Sequence, residues 1–385
     1  LLSYAAYDPK AGNDPNPAHG VFGFYLFDWF TEPSWAYRLI QGTHVILGFA
    51  LVPVVLAKLW SVIPRLFEWP LWRSVAHLLE RVTLVMLVGG VVFEMLSGIF
   101  NIGYVYGYAS FYPGHFYGAW IFMAAFVVHV SLKLPKMVES LRSRRLRSEL
   151  RTGLAGTQPE PYSEGGLVAL SPAAPTMSRR SVLALVGGTS LVVVGLTAGQ
   201  TVGGALRRVA WFGNRYASPG VGPNHFPVNH TAAEAGIGPD RTGSSWTLEV
   251  VGPSTVTLTR DELLAMPQIT ADLPIACTEG WSTTQRWTGV RLSELALKAG
   301  VTEFGPATLE ALDGSGVILT GSQVRAAESM LALKVNGADL SLDHGYPARV
   351  MIPAAPGNHN KKWMNRIVFP GQSGQGQASA AGAAS

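Results

Sequence analysis

FYPGHFYGAWIFMAAFVVHVSLKLP occupies residues 111–135 and decides how the N-terminal half of the chain folds. From Tyr112 to Leu132 it holds no Lys, Arg, Asp or Glu, and about 20 apolar residues are enough for a helix to cross hydrocarbon. Two histidines, His115 and His129, interrupt the run fourteen residues apart. At ~100° per residue they fall within about 40° of one helix face, and at ~1.5 Å rise they stand about 21 Å apart along the axis. An ionisable group inside a span is costly to bury and marks function by default.

The same pattern continues on both sides. Leu39–Ala57 is 19 residues without a formal charge, Val82–Leu132 carries only Glu94, and Ser181–Leu206 is 26 residues without one. Four spans are predicted, near 37–59, 77–100, 113–133 and 182–206. Tyr104-Val105-Tyr106-Gly107-Tyr108, Pro113 and Gly114 are expected to make the turn between the second and third. Charged residues are 14% of the 385-residue chain, well under the usual ~25%. That excludes a disordered or collagen-like chain and argues against a wholly soluble one. One cysteine excludes an intrachain disulfide framework and any all-cysteine metal site. Eleven Trp and twelve Tyr suit interfacial belts.

Lys and Arg set the orientation. Residues 133–180 hold nine basic residues (Lys133, Lys136, Arg142, Arg144, Arg145, Arg147, Arg151, Arg179, Arg180) and four acidic ones, +5 against +4 for the whole chain. This excess marks a cytoplasmic loop, not a nucleic-acid surface, and Lys58, Arg65 and Arg73 put the first loop on the same side. The N-terminus and everything beyond Leu206 are then expected outside the cytoplasm, and the protein in a bacterial plasma membrane as a multi-pass chain. Expected domains are an extracytoplasmic segment 1–36, a three-span haem b membrane domain 37–135, a basic cytoplasmic loop and linker 136–178, a fourth span 179–206, a C-terminal domain 207–370 and a disordered tail 371–385. The chain begins with Leu1, which leaves room for residues upstream.

Depth pairs the membrane histidines. His44 falls in the outer part of span one and His77 at the inner edge of span two, so His44 pairs with His115 and His77 with His129. Each pair suits bis-imidazole ligation of a b-type haem, and no C-x-x-C-H is present for covalent attachment. Two haems are expected; one haem on a single pair, or histidines that simply bond between helices, are the alternatives. Arg81, one turn beyond His77, can meet a haem propionate. Glu94 serves either a quinone or proton path or a plain hydrogen bond. Residues 37–135 resemble the b-type cytochrome membrane domains found beside periplasmic oxidoreductases, on these histidines together with HLLERVTLVMLVGGVVFEMLSG at 77–98 and the stretch quoted first.

Ser178-Arg179-Arg180 before a Gly-rich span looks like a twin-arginine export signal kept as an anchor, or an ordinary positive-inside pair. Residues 207–370 read as a soluble α+β domain, with strands at 246–251, 309–312, 317–320, 348–352 and 363–369 and short helices at 261–264 and 292–299.

Cys277 sits in PIACTEGWSTTQRWTGVRLSELALKAG, residues 274–300. A thiolate suits a redox metal, but a lone cysteine is as readily a core residue or a nucleophile. The segment is similar to the molybdenum-binding segment of the sulfite oxidase superfamily, above all its methionine-sulfoxide-reductase-like branch, at Cys277, Glu279, Trp281, Trp287, Gly289 and Leu292. NGADLSLDHGYPARVMIPAAPGNHNKKWMNRIVF (336–369) resembles a second block of that family, and NHFPVNHTA (224–232) a third. The resemblance implies a Mo-molybdopterin domain with Cys277 on the metal, Arg349 and Lys362 toward the pterin phosphate, and His225 and Asn229 on the pterin side. The sulfite-oxidising branch carries arginines just after its cysteine; here Thr278-Glu279-Gly280 follows, and Arg286 and His359 are the candidates for positive charge at the substrate.

The expected whole is an α-helical membrane bundle of the cytochrome b kind joined to an extracytoplasmic sulfite-oxidase-like domain. It would transfer oxo groups to or from a small S- or N-oxide or oxyanion, exchanging electrons through the haems with a membrane quinone or quinol. A sulfite-type dehydrogenase, or a metal-free assembly subunit among the subunits of a respiratory complex, are the alternatives.

Overall fold

The structure is a computed structural model that describes residues 28–67, 69, 74–103, 111–143, 146–158, 171–212 and 220–370. Residues 1–27, the aromatic run 104–108, Arg73, Arg144, Arg145, part of the 152–178 linker and the 371–385 tail lie outside the described residues. Two compact units divide the chain. One takes in His44–Gly199 and Ala205–Gly213, the other Leu2–Thr43, Gln200–Gly204 and Asn214–Ser385.

Four long helices are α1 (Ala36–Leu66), α2 (Val75–Ile102), α3 (Phe111–Ser143) and α4 (Arg179–Val202). Each contains a stretch long and apolar enough to cross a membrane: Ala36–Ile63, His77–Ile102, Pro113–Pro135 and Arg179–Val202, with peak mean hydropathy of 2.2, 2.1, 1.5 and 2.0. Leu47, Leu51, Val85, Val127 and Leu191 are exposed along them, as lipid-facing side chains would be in the absence of lipid. Side-chain caps start two of them: Ser74 Oγ accepts from His77 N and Ser178 Oγ from Ser181 N, each satisfying a free first-turn donor.

Several helix bounds differ from the sequence reading, and α1 runs on to Leu66 rather than stopping near 59. Pro113 and Gly114 belong to the first turn of α3, where proline's missing N–H is no loss, and not to the preceding turn. Helix α3 runs through Pro135 to Ser143. Helix α4 stops at Val202 rather than 206, because Gly203 and Gly204 adopt φ of 84° and 62°, a conformation glycine enters without steric cost.

The C-terminal domain is built on two sheets. One has the order β2 (Thr255–Thr259), β1 (Thr247–Val251), β10 (Met364–Val368), β5 (Ala307–Ala311), β6 (Gly316–Leu319); β1 and β10 run parallel and the other neighbours antiparallel. The other has the order β3 (Gln268–Ala276), β4 (Ser282–Arg291), β7 (Met330–Val335), β8 (Ala338–Asp339), with β9 (Arg349–Met351) also paired to β7. Short helices α5 (Arg260–Ala265), α6 (Leu292–Lys298) and α7 (Gly321–Arg325) join them. Capping boxes at Thr259/Glu262 and Thr320/Gln323 start α5 and α7.

Strand alternation sorts two cores. Leu331 and Leu333 of β7 pack with Leu248, Val250, Leu309 and Ile367 of the first sheet. Met330 and Ala332 point the other way, into a cluster with Trp287, Leu273, Ile275, Phe226 and Cys277. The second sheet is thus buried on both faces around β7. Its central approach is tight: a Cβ at Gly289 would overlap the Leu331 carbonyl, where the β4–β7 register shifts.

Candidate active site

Cys277 lies just past the end of β3, in a turn closed by Gly280 N donating to Cys277 O at 3.0 Å and Cys277 N to Trp281 O at 2.9 Å. Gly280 makes that turn possible with φ of 93°. Glu279 accepts from Trp281 Nε1 at 3.2 Å. Cys277 is buried, and burial pushes its thiol up, with the Glu279 carboxylate adding to the effect. Gly357 passes so close that a Cβ there would stand 3.5 Å from Cys277 Cα.

Positive charge collects around this thiol. Arg349 on β9 is 6% exposed, and its electrostatic reach and that of Lys362 extend to Cys277. Burial holds the Arg349 guanidinium down at about 9 and Lys362 down at about 7, where the nearby Arg349 also contributes. Arg349 donates through Nη1 to His344 O at 3.3 Å and lies 5.5 Å over the Trp287 ring, while its Nε is buried without a hydrogen-bond partner. Lys362 Nζ donates to His230 O at 2.5 Å and Asp343 O at 3.0 Å. The next residue, Trp363, lies with its ring 4.6 Å from Lys362 Nζ; it takes φ of 54°, rare for an aromatic residue, and donates Nε1 to Leu342 O at 2.7 Å. His344 and His359, both buried, are held near 3, by burial first and then by Arg349 and Lys361 respectively. A buried guanidinium and a part-buried ammonium with no carboxylate bonded to them among the described residues call for an anion. A soft thiol beside them suits a metal carried on an anionic, phosphate-bearing ligand. The residues therefore fit a molybdopterin cofactor.

The turn after Cys277 is tied down from elsewhere in its own unit. Arg38, in the first turn of α1, donates Nε to Ser282 Oγ at 3.0 Å, Nη1 to Thr284 Oγ1 at 2.9 Å and Nη2 to Val202 O at 2.9 Å. Gln41 Nε2 donates to Thr278 O at 3.3 Å, and Thr201 Oγ1 to Gly280 O at 2.7 Å. Sequence reasoning missed this set. Its one signal was a cation in the first turn of an apolar helix, where the helix dipole disfavours positive charge. His344, whose ring bonds Ser341 Oγ and Phe226 O, was missed as well.

Other expected site residues sit apart. Arg286 is exposed on β4, paired with Asp272 at 3.0 Å, and opposite Asp272 in a register that leaves it about 16 Å along β3 from Cys277. Strand alternation turns it away from Trp287, the residue that does reach the thiol's cluster. His225 and Asn229 are exposed on the 224–232 segment. His359 is 2% exposed and bonds Asn358 Oδ1 at 3.0 Å.

In the helical unit, the rings of His44 on α1 and His115 on α3 have centroids 6.1 Å apart and planes at 83°. Metal–imidazole bonds of about 2 Å to each ring, plus roughly 1 Å from ring nitrogen to centroid, give about 6 Å, so the separation suits two imidazoles that would hold one metal ion between them. His77 and His129 each keep a buried Nδ1 without a hydrogen-bond partner, the donor chemistry an absent ligand would use, and both lie near the Glu80–Lys133 ion pair. Arg81 donates to Leu66 O at 3.2 Å.

The comparisons agree with the C-terminal reading. Residues 235–377 match the family described as "Oxidoreductase molybdopterin binding domain". The chain is 34% identical over 148 residues to the "Uncharacterized oxidoreductase YuiH" of Bacillus subtilis, covering 37% of this chain and 73% of that protein. It is 30% identical to a nitrate reductase [NAD(P)H] of Hordeum vulgare, over 38% of this chain and 20% of the relative. It is 28% identical to human mitochondrial sulfite oxidase, over 37% of this chain and 31% of the relative. The chain thus spans most of the first of these and a fifth to a third of the other two.

Proposed function

Since the chain belongs to the oxidoreductases with a molybdopterin-binding domain of the sulfite oxidase kind, we propose that it is a membrane-embedded enzyme that moves an oxo group to or from a small S-oxide, N-oxide or oxyanion outside the cytoplasm and exchanges the electrons with a membrane quinone through two b-type haems. The observation that carries the reading is the buried Cys277 thiol beside the unpartnered Arg349 Nε and Lys362.

When bound, the molybdenum cofactor supplies the two-electron oxo chemistry. The chain supplies the rest. Cys277 gives the thiolate ligand, and the Gly280 turn and Gly357 fix where its sulfur stands. Arg349 and Lys362 bind the anionic cofactor, and Trp287, fully buried under Arg349, keeps water from the guanidinium. His359, held neutral by burial, is a hydrogen-bonding group for substrate oxygen rather than a fixed cation. In the helices, His44 with His115 and His77 with His129 would hold haem iron. The basic residues in the last turn of α3 and between α3 and α4, Arg142, Arg147 and Arg151 among them, support a cytoplasmic loop and so an external C-terminal domain.

Elemental analysis tests the first part: about one Mo per chain is expected, lost in Cys277→Ser. Protein isolated from a Mo-replete host with no Mo would instead favour a metal-free assembly role. Reduced-minus-oxidised spectra test the second, since His44→Ala is expected to remove one b-type component and leave the other. Following haem oxidation by S-oxides, N-oxides and nitrate, and haem reduction by sulfite, identifies the substrate and the direction of flow.

A further inference from the structure

Glu94 on α2 is a part-buried carboxylate that the functional reading leaves without a task. Its Oε2 lies 3.1 Å from His115 Nδ1. Ser97 Oγ, one turn along α2, lies 2.9 Å from the same nitrogen. The serine hydroxyl has a carbonyl acceptor one turn back, Phe93 O at 2.7 Å; with its proton placed there, it accepts from His115. A carboxylate likewise accepts. With Glu94 ionised and the serine proton on Phe93 O, both partners accept, which places the proton on Nδ1 and leaves Nε2 bare. Phe111 stacks on the imidazole at 4.9 Å and 29° and limits its rotation. The other carboxylate oxygen, Oε1, is buried without a hydrogen-bond partner and fills the space a side chain at Gly118 would occupy. A carboxylate, a hydroxyl, a stacked ring and a glycine thus converge to set one imidazole in one tautomer.

We propose that Glu94 is the positioning residue of the His44–His115 site: it holds the Nδ1–H of His115, presents Nε2 as the ligand nitrogen, and makes that imidazole a stronger donor to the metal. This rests on the b-haem reading. A ligand histidine whose second nitrogen donates to a carboxylate is more basic, and a more basic axial ligand favours the more positive, oxidised iron. The site's midpoint potential is therefore lower than the same two histidines would give without Glu94.

Redox titration of the intact, detergent-solubilised protein tests this. Glu94→Gln is expected to raise the reduced-to-oxidised ratio of one haem component at least tenfold at a fixed poise, about 59 mV for one electron, and to leave the His77–His129 component unmoved. Gly118→Ala keeps the charge, but its Cβ would overlap Glu94 Oε1 as well as the Phe93 ring; it is expected to displace the carboxylate and move the same component in the same direction. Haem content per chain, measured on each variant, verifies that the site is still formed. Haem bound with neither variant shifting its potential overturns the assignment, and so does a shift in Glu94→Gln without one in Gly118→Ala, which would mean the charge acts through space. Wild-type protein with no b-type spectrum overturns the haem reading itself and this assignment with it.

Discussion

Replacing Lys362 with methionine is expected to flatten the pH dependence of stability in the cofactor-free protein. Burial, with Arg349 second, brings this ammonium from near 10.5 to about 7. At or below pH 7 the folded lysine is charged and the full penalty of burying it is present. Above pH 7 the folded group loses its proton while the unfolded chain keeps it up to about 10.5. The unfolded state then binds more protons, so stability rises with pH by up to about 1.4 kcal/mol per pH unit. The whole gap is bounded at about 5 kcal/mol. Lys362 is only partly buried, and solvent screening reduces that; about 2 kcal/mol between pH 7 and 9 is the working figure. Toward the top of that window the unfolded Cys277 thiol ionises while the folded one, pushed up by burial, does not, and the rise levels off. The chain's single cysteine provides the assay. Pulse alkylation of Cys277 along a urea gradient reads opening of its domain in full-length, detergent-solubilised protein. In wild type the cofactor-free midpoint should rise from pH 7 to 9; in Lys362→Met it should start higher and stay level. Cofactor-loaded wild type should also stay level, because a bound anion keeps the ammonium charged. A flat wild-type midpoint, or an unchanged slope in the variant, would refute the reasoning.

Three further outcomes follow from the same geometry. Arg349→Met should separate two properties: cofactor retention falls about 30-fold or more, as a buried charge partner worth at least 2 kcal/mol is lost, while the cofactor-free domain gains about 1–4 kcal/mol from losing an uncompensated buried cation; Mo content and the urea midpoint measure the two. Trp287→Ala removes a fully buried ring and its 3.1 Å bond to Leu273 O and should lower the domain's stability by about 3–5 kcal/mol, read from the same midpoint. Arg38→Met strips the ties to Ser282, Thr284 and Val202, and without urea it should speed alkylation of Cys277 several-fold while leaving the protein's tryptophan fluorescence native.

The helices were legible because their signal is length and apolarity. Leu39–Ala57 and Ser181–Leu206 announce themselves without any knowledge of partners. Strands of the first sheet were legible for a similar reason: β1, half-buried, alternates as TLEVV. In the sheet that carries Cys277, only β9 was, as the strand read at 348–352. Strand β3 contains Pro274 and opens with exposed residues, tolerable because it is an edge strand. Strand β4 reads as polar loop, STTQRWTGVR. Strand β7, MLALKV, is buried on both faces, so no periodicity separates it from a helical segment. Cys277, Arg349 and Lys362 were reached through resemblance, and the structure assembles them. Arg286 misled because sequence nearness to Cys277 says nothing about which face of a hairpin a side chain takes. Arg38, Gln41 and Thr201 were out of reach, since their partners stand between 79 and 246 positions away.

That separation has a practical consequence. A water-soluble fragment begun near residue 220 would keep every strand and every resembling motif, yet it would lack the guanidinium, amide and hydroxyl that Arg38, Gln41 and Thr201 bring to the 278–284 segment. Carbonyls at 278 and 280 would then turn to bulk water, and the hinge holding the sulfur would slacken. Trimming away the greasy N-terminal portion for ease of handling would therefore alter the very loop such a fragment was made to study.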